Sequence, residues 1–288
     1  MPELPEVETT VRDLQKKILG RKIDDVWTDF QKMIKKPRDF KDFKKGIEGR
    51  KIENIRRRGK NILIDLSGNK ALLIHQKLTG HLLLGKWKKK GNIWLPPPGP
   101  LSEKVNTYIH LLFTFDDGQQ LALSDLRKFA KAELLNKDEL KKELSSLGPE
   151  PLDKSFTFEN FTEALSRPRG KIKQVLMDQT VIAGIGNIYS DEILWRAKVH
   201  PFKEISQFSE KELKNIYQAI RKTLPLAIKL CGESISDYRT LSGETGFFDK
   251  ARKVYRREGE KCNRCGTVIK RVKLAGRSAH FCPNCQKL

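Results

Sequence analysis

Apolar residues set two different rhythms along this chain, and the change from one to the other divides it. Leu4, Val7, Val11, Leu14 and Ile18 recur every three or four residues, which predicts an amphipathic helix over roughly 5–19. Pro5 suits its first position, Glu6 and Glu8 complement its positive N-terminal end, and Gly20 stops it. From there to about residue 135 the rhythm is that of strands. Segments 22–29, 51–57, 61–66, 71–75, 80–85, 108–115, 120–124 and 130–135 carry strand patterns, with turn signals at Ser67-Gly68-Asn69 and Asp116-Asp117-Gly118. They predict a β-sandwich with the leading helix packed on it. Residues 86–106 hold a basic run, then Pro96, Pro97, Pro98 and Pro100, and read as a long mobile loop.

The rhythm changes near Leu147-Gly148-Pro149-Glu150-Pro151. Helical spacing follows at 158–165, 172–177, 188–198 and 210–230. Ser209 and Glu212 form a capping box for the last helix, and Pro225 is expected to kink or break it. The tail from Val254 is short, basic and rich in Cys, with hairpin character. The expectation is an α+β multidomain chain: a β-sandwich over 1–147, a helical domain over 148–253 and a C-terminal finger over 254–288.

Composition narrows what such a chain does. A length of 288 residues with 38% hydrophobic content supports more than one core. No run of about 18 apolar residues occurs, and the opening residues lack the blocks of a secretion signal. A soluble, cytoplasmic protein is expected. Lys and Arg number 57 against 36 Asp and Glu, a net charge of +21 spread over the whole chain. A phosphate backbone is the natural partner of so wide a positive surface, because neutralising it releases condensed counterions. A solubility surface or a binder of anionic membranes would carry the same charge.

Cys262-Asn263-Arg264-Cys265 and Cys282-Pro283-Asn284-Cys285 are two knuckles with 16 residues between them. Each turns two thiolates toward one point, and together they complete a tetrahedron for one structural zinc ion with no open position. The tail is too short to bury its own core, so metal binding, worth about 10–16 kcal/mol in small zinc peptides, supplies its folding energy. An iron–sulfur or redox thiol pair is the alternative, and nothing nearby supports it. Cys231 stands alone and reads as a buried small hydrophobe. Lys270, Arg271, Lys273 and Arg277 surround the expected turn Ala275-Gly276, which suits a hairpin that reads a groove or phosphates, or simply solvated charge.

Two further features carry chemistry. Between two helical patterns, Gly184 and Gly186 permit a tight turn, with Asn187 as N-cap and free N–H groups for a phosphate. A plain helix connector would look the same. At the start, Pro2 follows Met1, and its small size favours Met1 removal. The exposed secondary amine would titrate near the roughly 7.7–8.0 of α-amines. Attack on C1′ of a sugar would give a covalent iminium, with Glu3 placed to protonate the ring oxygen.

Together these motifs carry a resemblance. Met1 to Thr9, Arg57-Arg58-Gly59-Lys60, Asp125-Leu126-Arg127-Lys128-Phe129, Leu147 to Pro151, Ala183 to Tyr189 and Gly276 to Gln286 span the chain in order. The chain resembles the formamidopyrimidine-DNA glycosylases. The resemblance implies a β-sandwich, a helix–two-turn–helix domain and a zinc finger. It implies a monomer acting on damaged double-stranded DNA, excising 8-oxoguanine and formamidopyrimidines and then performing β,δ-elimination at the abasic site. Pro2 matches the nucleophile, Glu3 the proton donor, Glu6 a carboxylate shaping the catalytic centre, and Lys60 a phosphate-binding lysine that aids elimination. His75, Asn187 and Arg277 match further phosphate contacts, and Lys173 a lysine near the damaged nucleotide. Arg127 matches the residue facing the orphaned cytosine, Phe129 the wedge beside it, and Leu78 the apolar plug. Those roles agree with chemistry: a base must leave the stack to be excised, an apolar side chain fills the gap, and a guanidinium donates to the acceptor edge of cytosine.

Departures bear on which lesions are preferred. Leu78 stands where the family commonly has Met, a swap that keeps apolar volume. Tyr108-Ile109-His110 keeps only the last residue of a frequent His-Asp-His. Ser236 stands where the loop over the flipped base, 232–248, often has a basic residue, and the Pro-rich stretch near 97 is an insertion. Leu78 lends weight to an endonuclease VIII-like enzyme for oxidised pyrimidines, against which stand the N-terminal motif and the Arg127/Phe129 pair. A non-catalytic damaged-DNA-binding protein would be expected to lose Pro2, Glu3 or Lys60, and all three are present.

Overall fold

The computed structural model describes every residue except Asn92 and Ser236. Ser236, the variable position of the 232–248 loop, therefore lies outside the described residues. The chain forms two units, Met1–Ser145 with Leu230–Asp249, and Ser146–Lys229 with Lys250–Leu288.

The first unit opens with α1 (Leu4–Ile18), β1 (Ile23–Thr28), β2 (Ile34–Lys36) and α2 (Phe40–Ile47). Strands β3 (Ile52–Arg58), β4 (Asn61–Leu66), β5 (Lys70–His75) and β6 (His81–Gly85) follow. Next come β7 (Lys88–Lys90), β8 (Ile93–Leu95), β9 (Ile109–Phe115), β10 (Gln120–Ser124), β11 (Lys131–Asn136) and α3 (Lys137–Leu144). One sheet has the order β1-β9-β10-β6 and the other β2-β11-β5-β4-β3. All pairs are antiparallel except β2 with β11. Inward residues of both sheets share one core with the α1 stripe of Val7, Val11, Leu14 and Ile18. Burying each such side chain contributes about 1.5–3 kcal/mol.

The outer faces are covered too, which is why β4, β5 and β9 read as nearly continuous apolar runs. Leu63, Leu73 and Leu135 pack under Leu140 of α3. Leu83, Leu112 and Ala122 pack under Trp87 and Leu101. Residues 86–106 are thus no structureless loop: they form the β7–β8 hairpin and two short 3-10 turns, and Trp87 anchors them in that outer cluster.

The second unit holds α4 (Phe158–Ser166), α5 (Ile172–Met177), α6 (Asn187–Ala197), α7 (Glu210–Lys229) and the hairpin of β12 (Lys270–Leu274) and β13 (Arg277–Phe281). Ser209 and Glu212 cap α7 reciprocally, and the helix continues past Pro225 to Lys229. α6 is the centre of this unit and packs on α5, α7 and β13. No helix among the described residues is long and apolar enough to cross a membrane.

Candidate active site and nucleic-acid interface

In the first unit the chain start is enclosed. Pro2 and Glu3 are buried, and Glu3 caps α1 in an extended conformation. Its N–H donates to Oε2 of the fully buried Glu6 at 2.8 Å. Oε1 of Glu6 accepts from the Glu233 N–H at 2.8 Å, and the Tyr238 hydroxyl donates to the Glu6 carbonyl at 3.3 Å. One carboxylate therefore ties the first turn of α1 to the 230–249 segment. Gly232 takes φ of +79°, and a Cβ there would lie 2.6 Å from Glu6 Oε1, so the approach requires glycine. Burial pushes the Met1 amine below its ordinary value of 8.0, while Glu3, Glu6 and Asp237 pull it up and Lys60 pushes it down. Tyr238 and Glu233 were not singled out from the sequence, because only the fold brings them to Glu6.

Lys60 is buried in the β3–β4 turn, where Gly59 takes φ of 58°. Arg57 braces that turn, donating to Glu8 Oε2 at 2.9 Å and to the Gly59 carbonyl at 3.0 Å. His75, on β5, pairs in register with Asn61 and Lys131. Burial, then the charges of Lys77, Lys60 and Lys131, push its pKa down to about 3. The Lys77 N–H donates to Nδ1 at 2.9 Å. A neutral ring whose Nδ1 accepts must carry its proton on Nε2, which makes His75 an uncharged donor.

Asp125 organises the rest of this surface. It is fully buried; Oδ1 accepts from the Thr79 hydroxyl and from the Arg127 N–H at 3.3 Å, and Oδ2 from the Ala130 N–H at 2.7 Å. Thr79 follows Leu78, so one carboxylate holds the Leu78 loop and the 126–129 loop together. Phe129 is 50% exposed, which excludes a core aromatic, and the Arg127 guanidinium sits 4.7 Å from its ring centroid. Leu78 is half-buried. Cys231, expected to be buried, is half-buried and takes φ of 58° in the turn before Gly232.

In the second unit the α5–α6 turn is wired by Gln179, which sequence reasoning passed over. Its Nε2 donates to the carbonyls of Met177 and Ile185, each at 2.8 Å, and its Oε1 accepts from the Gly184 N–H at 2.9 Å. Asn187 is the first residue of α6 and Gly186 its N-cap, which corrects the sequence expectation. Asn187 Oδ1 is buried without a hydrogen-bond partner.

The Lys173 ammonium is buried, 1% exposed, paired with buried Asp191 and donating to the Ser278 carbonyl at 2.7 Å. Asp191 Oδ2 in turn accepts from the His280 N–H at 3.0 Å. A buried ammonium needs such a partner, and here it bolts α5 and α6 to β13. Glu192, also on α6, accepts from the N–H groups of Lys253, Val254 and Tyr255. Its burial pushes its pKa up, against those hydrogen bonds.

The sulfur atoms of Cys262, Cys265, Cys282 and Cys285 all lie within 4.8 Å of one another. Tetrahedral zinc with Zn–S near 2.3 Å needs sulfurs roughly 3.8 Å apart, so the cluster suits one zinc ion. Trp195 of α6 donates from Nε1 to Cys262 Sγ at 3.4 Å. Beyond it, Ala275 and Gly276 take φ of 46° and 77°, the mirror-image turn that a two-residue hairpin favours. Arg277 is exposed directly after it.

Known proteins match the chain throughout. Residues 1–132 match the formamidopyrimidine-DNA glycosylase N-terminal domain, 147–239 the formamidopyrimidine-DNA glycosylase H2TH domain, and 259–288 the zinc finger found in FPG and IleRS. Formamidopyrimidine-DNA glycosylase of Bacillus cereus is 38% identical over 288 residues, covering 99% of each chain. That of Lactococcus lactis subsp. cremoris is 40% identical over 293 residues, covering all of both. A Lactococcus lactis FPG mutant solved with Fapy-dG-containing DNA superposes with a TM-score of 0.87 at 38% identity, covering 100% of both chains. MutM solved with carbocyclic 8-oxo-G-containing DNA gives 0.86 at 38%, also covering 100% of both.

Proposed function

We propose that this chain, which belongs to the formamidopyrimidine-DNA glycosylase family, is a bifunctional DNA glycosylase and abasic-site lyase for 8-oxoguanine and formamidopyrimidines. It works as a cytoplasmic monomer on duplex DNA. The observation that carries this reading is the chain start itself, an enclosed amine beside Glu3, Glu6 and Lys60.

With Met1 removed, the Pro2 nitrogen takes over the place of the terminal amine. Its lone pair attacks C1′, the bond to the base breaks, and the base leaves with a proton. Glu3 protonates the ring oxygen as the sugar opens, leaving an iminium between Pro2 and C1′. Loss of a C2′ proton expels the 3′ phosphate, and a second elimination expels the 5′ phosphate. Lys60 and the Nε2–H of His75 donate to phosphate in the first unit, and Asn187 and Arg277 in the second. Leu78 and Phe129 fill the gap left by the flipped nucleotide, and Arg127 faces the orphaned cytosine. Lys173 lies near the damaged nucleotide, and its bonds to Asp191 and Ser278 also hold the hairpin that carries Arg277. In this reading the four Cys hold zinc, which supplies folding energy to the finger and no chemistry.

The test is borohydride trapping on duplex carrying 8-oxoguanine opposite cytosine. Wild type becomes covalently linked to DNA, and Pro2→Gly severely reduces the linkage. Glu3→Gln slows base excision by roughly 10²–10⁴-fold but affects an already abasic duplex less. Base release without any trapping would refute the Pro2 mechanism.

A further inference from the structure

The β7–β8 hairpin presents two different faces. Its pairs are Lys88 with Leu95, Lys89 with Trp94 and Lys90 with Ile93. Directly opposed residues share a face and neighbours alternate. Lys89 and Trp94 therefore lie on one face, where the ammonium sits 5.8 Å from the Trp94 ring centroid and Trp94 packs edge-on to Trp27 at 5.7 Å. Lys88, Lys90, Ile93 and Leu95 make up the other face. All four are exposed, Ile93 by 66% and Leu95 by 44%. Two ammonium groups alternating with two uncovered aliphatic side chains match a nucleic-acid backbone, with phosphates for the cations and deoxyribose for the aliphatics.

The place of the hairpin adds direction. Trp27, its anchor, precedes Thr28, whose hydroxyl accepts from the Phe30 N–H at 3.0 Å. The Lys128 ammonium lies 5.1 Å from the Phe30 ring centroid. Lys128 is the neighbour of Arg127. Lys89 on Trp94 and Lys128 on Phe30 thus flank the segment from Trp27 to Phe30, which also carries Asp29.

We infer that the outer face of the β7–β8 hairpin is an accessory DNA-binding surface. It grips the duplex flanking the lesion through Lys88 and Lys90. This rests on the glycosylase reading for the identity of the ligand as damaged duplex. The hairpin has no part in excision, so it should extend the footprint and leave the chemistry unchanged.

The test uses the full zinc-loaded chain and the double variant Lys88→Gln/Lys90→Gln, whose exposed substitutions leave the fold intact. Affinity is measured against salt on abasic duplexes of about ten and about twenty-five base pairs, each neutralised phosphate contributing about 0.9 to the log–log slope. On the long duplex the variant is expected to lose about two units of slope. On the short one it matches wild type in slope and in borohydride trapping. Equal slopes on the long duplex overturn the inference. So does an equal loss on both duplexes, which would place the two lysines within the short duplex at the lesion rather than on its flank. Retained DNA slopes with lost binding to phosphatidylserine vesicles would mark a membrane surface instead. If neither protein traps but the slope difference persists, the glycosylase reading falls and the hairpin contact stands.

Discussion

Replacing Glu6 by Gln keeps its shape and tests the clamp at the chain start. The carboxylate accepts one backbone N–H on each oxygen, from Glu3 and from Glu233. An amide offers one oxygen, so one charge-assisted bond, worth about 1.5–3 kcal/mol, is lost. The orphaned N–H then faces an NH₂ group, adding about 1–3 kcal/mol for a buried unsatisfied donor. A total of about 2.5–6 kcal/mol is a large part of the roughly 5–15 kcal/mol that holds a domain folded. Urea unfolding should register it as a lower midpoint. The chemistry should respond with a definite sign. Glu6 raises the pKa of the Met1 amine, and the proposed Pro2 amine, one residue nearer to Glu6 along the chain, should feel a charge effect of the same sign; without that charge the free amine persists to lower pH. The acid limb of the trapping rate should move to lower pH in Glu6→Gln. Gly232→Ala breaks the same clamp by pressing a Cβ on Glu6 Oε1, but leaves the charge. It should reproduce the stability loss with a smaller pH shift. Stability within about 0.5 kcal/mol of wild type, together with an unmoved limb, would refute the reasoning.

Asp125→Asn loses one of the acceptors that join the Leu78 and 126–129 loops. Excision measured against each of the four opposing bases should change its ranking relative to wild type, while trapping on abasic DNA keeps most of its rate. His75, with a pKa near 3, should show no imidazole titration by NMR from about pH 7.5 to about pH 4.5, against an ordinary value near 6.5. Its depressed pKa means the unfolded chain binds the extra proton, so this residue's contribution to stability is full above about pH 6.5 and is lost as pH falls toward 3. Elemental analysis should find one zinc per chain, and Cys285→Ser should lower metal content and DNA affinity together.

Features encoded locally were legible in the sequence. The stripe of α1 needs only its own spacing, and all five residues named from it are buried. The two Cys knuckles specify a cluster through their own turns. What escaped depends on partners far along the chain. The burial of Lys173 is set by Asp191 and by Ser278, 105 residues away, partners that no local pattern names. The partner of Glu6 lies 227 residues on. α2 and α3 bury too few residues for a period to show: Phe43 and Ile47 in one, Leu140 in the other. The hairpin at 88–95 was hidden because prolines beyond it suggested a loop, while its order comes from Trp94 meeting Trp27 across the sheet.

Helix α6 joins two functions. Its first residue, Asn187, opens on the wired turn, and Asp191, Glu192 and Trp195 hold the finger. These lie within eleven residues, about 16 Å of helix. In the proposed reading, the metal and a phosphate held at the turn would report to the same rigid element. Thermodynamic linkage makes such a dependence mutual: whatever factor the ion contributes to DNA affinity, bound DNA returns to retention of the ion. Repair complexes would then lose their metal to a competing chelator more slowly than idle protein, giving the finger its greatest resistance to demetallation while it is engaged on DNA.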